Sequence, residues 1–552
     1  MKKSKIYLLY SLFLITCCNQ IAYSFTDPYP KNPNIDAVNY KFEFELSDHT
    51  DEILGTATID IRFLVDGIKT LRLDLIKKSS ILGHKGMHVT VVKSDGESVQ
   101  YEHEKDVLLI NLPSSSIKNQ QIQFTISYQG IPATGLIIAD NKYGDRTFFS
   151  DNWPNKGRNW LPTIDHPYDK ATCEFVITAP SHYQVVSNGL LIEKTDLSAS
   201  RRRTHWKQSV PIAPWLFLVG VAKFAVQHVD DFKGKAIQTW VYPQDRTAGF
   251  YDFAEPTKKV LEFYSNNIGP FSYEKLANIQ SNSVQGGMEA ASAILYGDKS
   301  VSGERNTRWR NIVIHEIAHQ WFGNSVTEYD WDDVWLSEGF ATYFTLLFIE
   351  HEYGHDAFLK GLETSKKRVD NFYLKNPEYT IVHNNLKDMG KVSSSHTYQK
   401  GSWILHMLRG VVGTENFWRG IKSYYKKYQN ANATSEDFRR EMEEVSGKDL
   451  TVFFKQWLNQ GGALKYDGNW KYNKDKNQII ISMDQVQKDG SHFEMPLEVG
   501  IYFEGQDQPK IEIIQLNEKS NFFTINVDAE PIRLVLDPNT WVLMDAEFRK
   551  SE

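Results

Sequence analysis

At 552 residues the chain is too long for one hydrophobic core, so roughly two to four domains are expected. Hydrophobic residues at 41%, aromatics at 13% and charged residues at 24% describe a folded globular chain and exclude disorder as the default. A net charge of −7 without a block of like charges excludes a dedicated nucleic-acid binder, which needs a clustered basic face.

The chain opens as an export signal does. "MKKSK" is basic, "IYLLYSLFLI" is apolar but too short to span a bilayer, and "AYS" is a small-x-small cleavage site that puts the cut after Ser24. Cys17 and Cys18 offer a lipoprotein alternative, but Thr16 and Cys17 are poor choices for the small residue that precedes a lipid-attachment site. With the signal removed only Cys173 remains, so no internal disulfide is expected. The expectation is an exported protein, periplasmic or secreted, with no transmembrane segment in its mature part.

From about residue 34 to 230 the signals are those of strands. In "GTATIDIRFLV", Ala57, Ile59, Ile61 and Phe63 alternate with Thr58, Asp60 and Arg62, and "TLRLDL", "CEFVITAP" and "YQVVSNGLLIEK" continue the pattern. After about residue 255 the period becomes helical, as in "EPTKKVLEFYSNNIG" and "TRWRNIVIHEIAHQWFGN". "SEDFRREMEEVSG" predicts a helix capped by Ser435, striped by Phe438, Met442 and Val445, and stopped at Gly447. Strands return in "NQIIISMDQV", "MPLEVGIYFEG", "FFTINVD" and "IRLVLDP". The reading is an α+β multidomain chain: signal peptide 1–24, all-β domain 25–232, mainly helical domain 233–462 and β-sandwich 463–552.

"HEIAHQWFGNSVTEYDWDDVWLSEG" carries the chemistry. His315 and His319 lie one turn apart on one helix face and can share a metal ion, while Glu316 beside them can take a proton from a bound water. Two surface histidines would be the bland account. Against it, "NIVI", Ile317, Ala318, Trp321 and Phe322 describe a buried helix, whose polar groups need partners. Eighteen residues after His319 comes Glu338 on a second helix, a third ligand of the kind catalytic zinc takes.

His315-Glu316-x-x-His319, eighteen residues, then Glu338 in "WLSEGFATYF" resembles the aminopeptidase N-like family of zinc metallopeptidases, the gluzincins that include the leukotriene hydrolases. The resemblance covers essentially the whole mature chain. It implies an N-terminal β saddle domain, a thermolysin-like catalytic domain and a C-terminal β-sandwich, here without the helical cap domain of many members. It also implies one zinc ion held by His315, His319 and Glu338, with Glu316 as general base. "TYQKGSWILHMLRG" resembles the segment whose tyrosine stabilises the oxyanion, which assigns that role to Tyr398. "QGGMEAASAILYGD" matches the loop that binds the substrate's α-amino group, with Gly286, Gly287, Met288 and Glu289 at the substrate.

Asp333, one turn before Glu338, reads equally as a partner to the metal site or as an acidic helix start. Ala290 departs from the family's Asn, which removes whatever hydrogen bonds that amide makes to hold the loop. In "FFSDNWPNKGRNWLP", Trp153 stands where the family has a second amine anchor; Asp151 is the substitute candidate, against the alternative of an Asp-Asn turn before Pro154. The expected function is a zinc-dependent aminopeptidase that hydrolyses the N-terminal peptide bond of peptides through a zinc-activated water. The alternatives are a zinc endopeptidase and a non-catalytic zinc or peptide-binding protein of the same fold.

Overall fold

Alternation in "ILGTATIDIRF" becomes a strand, Ile53–Phe63, with Ile53, Ala57, Ile59, Ile61 and Phe63 buried and the intervening residues facing outward. The computed structural model describes residues 27–382 and 386–551; the expected signal peptide, with Cys17, Cys18 and its cut after Ser24, lies outside the described residues. Strand 53–63 sits near the middle of an eight-stranded sheet in the order 190–198, 201–212, 171–180, 35–45, 53–63, 120–131, 86–94, 97–98. All of its pairings are antiparallel except that of 35–45 with 171–180. A four-stranded sheet (136–140, 146–150, 184–187, 219–222) and a three-stranded one (70–74, 101–104, 107–111) complete this mostly-β first part.

A five-stranded sheet follows, in the order 225–232, 235–241, 275–281, 293–297, 287–288. Its first hairpin straddles residue 232, where the sequence puts a domain boundary, and three of its strands fall where the sequence pattern predicts helix. Strand Lys275–Ser281 is buried at all seven positions, so it has no outward face to produce alternation. Its polar residues are answered inside: Asn278 donates to Thr257 Oγ1 (2.9 Å) and accepts from the Tyr296 hydroxyl (3.2 Å), and Gln280 accepts from the Tyr242 amide (3.0 Å).

The helices are α1 (Arg246–Ala254), α2 (Thr257–Asn267), α3 (Thr307–His319), α4 (Trp335–Tyr353), α5 (His355–Tyr373), α6 (Gly401–Val412), α7 (Thr414–Tyr428), α8 (Ser435–Ser446) and α9 (Thr451–Leu458). On α8 the cap is Thr434, one residue earlier than expected, in a reciprocal capping box with Asp437; Gly447 ends the helix at φ 68°. Of its expected stripe, Phe438 and Met442 are buried and Val445 is only half-buried. The last seven strands form a four-stranded sheet (465–473, 478–485, 520–526, 545–550) and a three-stranded one (495–502, 510–516, 533–536). No helix among the described residues is long and apolar enough to cross a membrane.

Candidate metal centre

Helix α3 begins exposed and is buried from Val313 onward except at half-buried His315, so the motif occupies its inner end. After His319 the chain turns at Gly323, whose φ of 111° and whose position, where a Cβ would stand 2.2 Å from Ser337 Oγ, admit only glycine. That turn and the short helical turn Trp331–Asp333 return the chain to α4, buried on every side at its start. Asp333 accepts from the Ser435 hydroxyl (2.5 Å) and amide (3.2 Å), so it ties the start of α4 to the start of α8. Of its two readings, the acidic helix start agrees with its place in the acidic turn Trp331–Asp333 that leads into α4, and its hydrogen bonds go to Ser435 and not to the donor set.

His315 Nε2, His319 Nε2 and Glu338 Oε2 form a nearly equilateral triangle with edges of 3.1, 3.2 and 3.3 Å. Tetrahedral zinc with bonds of about 2.1 Å needs edges of about 3.4 Å. Glu338 Oε2 is buried without a hydrogen-bond partner, and two imidazole nitrogens face each other across the gap. His319 Nδ1 lies 3.1 Å from the Phe322 carbonyl and 3.0 Å from Ser337 Oγ. A carbonyl only accepts, so Nδ1 carries the proton and Nε2 is aimed at the triangle. Two further carboxylates, Glu289 and Glu316, lie with His319 in a second group whose ligand atoms are all within 4.8 Å of one another.

This excess of acid shows in the titration of His319, Glu316 and Glu289, whereas burial lowers His315 and the two histidines hold Glu338 below the usual carboxylate range. Burial opposes charge on His319, yet Glu289 and Glu338 outweigh it and raise that imidazole to about 10. Burial pushes Glu316 well above the usual carboxylate range, with Glu289 adding to it, and burial lifts Glu289 to about 7. A field that favours a proton at the triangle favours a divalent cation there still more, and one such ion satisfies the orphaned oxygen and both nitrogens together. The residues present therefore fit zinc.

Tyr398 enters from a π-helical turn, His396–Lys400, that leads into α6. Its hydroxyl donates to Glu338 Oε1 at 2.6 Å, and its ring lies parallel to that of His315 at 6.0 Å. Its placement follows from a backbone contact that the sequence pattern does not reveal: a Cβ on Gly339 would stand 3.0 Å from Gly401 Cα, so α4 and α6 touch at one residue beyond Glu338 and three beyond Tyr398.

The Gly286–Glu289 segment lies at the edge of the five-stranded sheet, where Gly287 and Met288 pair with Tyr296 and Leu295. Gly286 O accepts from the Gly297 amide (2.8 Å), and Met288 is buried as a core residue. Glu289 Oε1 stands 4.0 Å from His319 Nε2. Ala290 leaves no loose loop. Gln320 and Asn324 donate to the Glu289 carbonyl at 3.1 and 2.6 Å, and Gln320 Oε1 accepts from the Ser292 amide at 3.0 Å. These two amides, with Ser337, are site residues that sequence reasoning missed; Gln320 and Asn324 act on backbone groups, which leave no mark in a side-chain pattern. Asp151 pairs with Lys156 at 2.7 Å, and its charge adds to those that raise Glu289. Asn152 spans the Phe217 carbonyl and the Trp160 indole, while Trp153 packs edge-on against Trp331.

An HExxH helix, a glutamate from the next helix and a carboxylate just past the edge strand, 4.0 Å from the second histidine, define a zinc metallopeptidase of gluzincin form. The chain belongs to peptidase family M1: the Peptidase M1 N-terminal domain matches residues 36–216 and the Peptidase family M1 domain matches residues 253–457. Zinc is the cofactor that membership implies. Human glutamyl aminopeptidase is 30% identical over 346 residues, which is 60% of this chain and 36% of that protein. Probable aminopeptidase 2 of Sulfurisphaera tokodaii is 26% identical over 397 residues, 69% of this chain and 50% of that one. The chain thus spans half or less of the length of these relatives. A mutant M1 zinc metallopeptidase from Deinococcus radiodurans shares the fold at a TM-score of 0.65 and 20% identity, covering 77% of this chain and 94% of that one.

Proposed function

We propose that the protein is a zinc-dependent aminopeptidase that removes residues from peptides with a free N-terminus. The observation that carries this reading is Glu289: a buried carboxylate held by its own backbone 4.0 Å from His319 Nε2, where it pairs with an α-ammonium and fixes which peptide bond reaches the donor set. His315, His319 and Glu338 hold the ion. When bound, zinc supplies a Lewis acid that polarises the scissile carbonyl and acidifies water. Glu316 takes the proton of the attacking water and passes it to the leaving amine. Tyr398, whose hydroxyl burial and Glu338 keep protonated, donates to the oxyanion that develops on the carbonyl. Asp151 is the candidate second contact for the ammonium. Ala290 does not argue for the non-catalytic alternative, because Gln320 and Asn324 hold the Glu289 carbonyl beside it.

The leader-like start supports export, and the pairing of the last seven strands into two sheets supports a C-terminal β-sandwich. Purified residues 25–552 are expected to hydrolyse some members of a panel of aminoacyl anilides, to lose that activity on chelation and to regain it with zinc. N-acetylation of the substrate should abolish turnover. Equal turnover of free and acetylated substrates would turn the reading to endopeptidase action. No turnover from folded, zinc-loaded protein would reject catalysis.

Tyr398→Phe removes one donor to the oxyanion and leaves all three zinc ligands. The expected outcome is a fall in kcat of about 10²- to 10³-fold with KM and zinc content little changed. Loss of zinc from this variant would instead mark the Tyr398–Glu338 hydrogen bond as part of metal binding.

A further inference from the structure

The turn that presents Tyr398 has a second, inward side. Lys400 is 1% exposed, and its Nζ has neither a hydrogen-bond partner nor an ion pair among the described residues. Burial alone acts on it, lowering it to about 8, so the amine remains largely protonated at neutral pH. His396, one turn earlier, is equally buried, with its ring turned to the backbone of Val369 and Tyr379. Both side chains line one small cavity, walled by α5, Trp457 of α9 and residues 543–545. Asp370 and Asp545 also border it, but both are bonded to Lys366, at 2.8 and 2.5 Å, and neither pairs with Lys400.

A buried ammonium without a partner needs a counter-charge or water. The cavity has room for roughly one water-sized particle, which excludes phosphate, sulfate and a peptide carboxylate. The orphaned group at this cavity is the cationic donor of Lys400. We propose that this cavity is a binding site for a single monatomic anion of the chloride class, held by Lys400 Nζ. Such an ion joins the Tyr398 turn to α5 and to the C-terminal strands, and neutralises a charge two residues from Tyr398.

The test is anomalous scattering from crystals of the full chain grown with bromide in place of chloride, paired with thermal unfolding at fixed ionic strength as gluconate is exchanged for chloride. A bromide peak in contact with Lys400 Nζ, and a Tm that rises with chloride in the wild type but not in Lys400→Met, are the expected results. Absence of bromide from the cavity overturns the proposal, as does a peak that persists in Lys400→Met. An equal response of Tm in both proteins also overturns it, as does a bromide peak with no response of Tm in the wild type, which marks binding at crystal concentration only. If Lys400→Met does not fold, the two wild-type measurements decide. Neither readout uses catalysis, so the outcome is independent of the proposed peptidase activity.

Discussion

Glu316→Gln is expected to lower kcat by about 10²- to 10⁴-fold while the protein keeps its zinc. Glutamine copies the shape of the side chain and removes the group that takes the proton. Glu316 contributes no atom to the His315, His319 and Glu338 triangle, so metal content should be unaffected. Stability should hold or rise. The carboxyl is buried, repelled by Glu289, and pushed well above its ordinary range for both reasons, so replacing it by a neutral amide relieves a cost. The measurements are kcat on the best anilide of the panel, zinc by elemental analysis, and Tm. A variant that retains more than a tenth of wild-type kcat would remove Glu316 from the role of base. Loss of zinc together with activity would instead make it part of the metal site.

Much of this arrangement is legible in the sequence because it follows fixed periods. Alternation marks the strand Ile53–Phe63, and the four-residue step from His315 to His319 has only one meaning on a helix, two side chains on one face. The spacing to Glu338 is read by resemblance, and α3, a tight turn and α4 are what realise it. What stays hidden is of another kind. Strand Lys275–Ser281 buries Asn278 and Gln280 among polar partners far along the chain, so neither hydrophobicity nor alternation signals it. Gln320 and Asn324 hold the Glu289 carbonyl from more than thirty residues along the chain, through a backbone group that leaves no side-chain pattern. The contact of Gly339 with Gly401 joins residues sixty-two positions apart, and each glycine alone looks like a weak point in a helix. The choice of Thr434 over Ser435 as a cap turns on the ring it closes with Asp437, when both residues have the right chemistry.

Gly287→Ala should be nearly as damaging to catalysis as the loss of the base, for a purely steric reason. A Cβ at Gly287 would stand 2.2 Å from Glu316 Oε1, 2.3 Å from Cδ and 2.4 Å from Cγ, so the whole carboxylate group must move. The backbone there is not in the left-handed region, so alanine adds a wedge without adding strain. Overpacking of this kind costs about 1–3 kcal/mol of stability, which a chain of this size can absorb. Displacing a catalytic group by on the order of 1 Å costs about 10²-fold in rate. The expected result is a folded, zinc-loaded variant with kcat down about 10²-fold and a modest fall in Tm. Gly286→Ala is the internal control: nothing lies within 4 Å of a Cβ at Gly286, so the neighbouring substitution on the same loop should leave kcat within a few-fold of wild type. If the two variants behave alike, the loop tolerates or rejects side chains as a whole. If only Gly287→Ala fails, the glycine is there to give Glu316 its place.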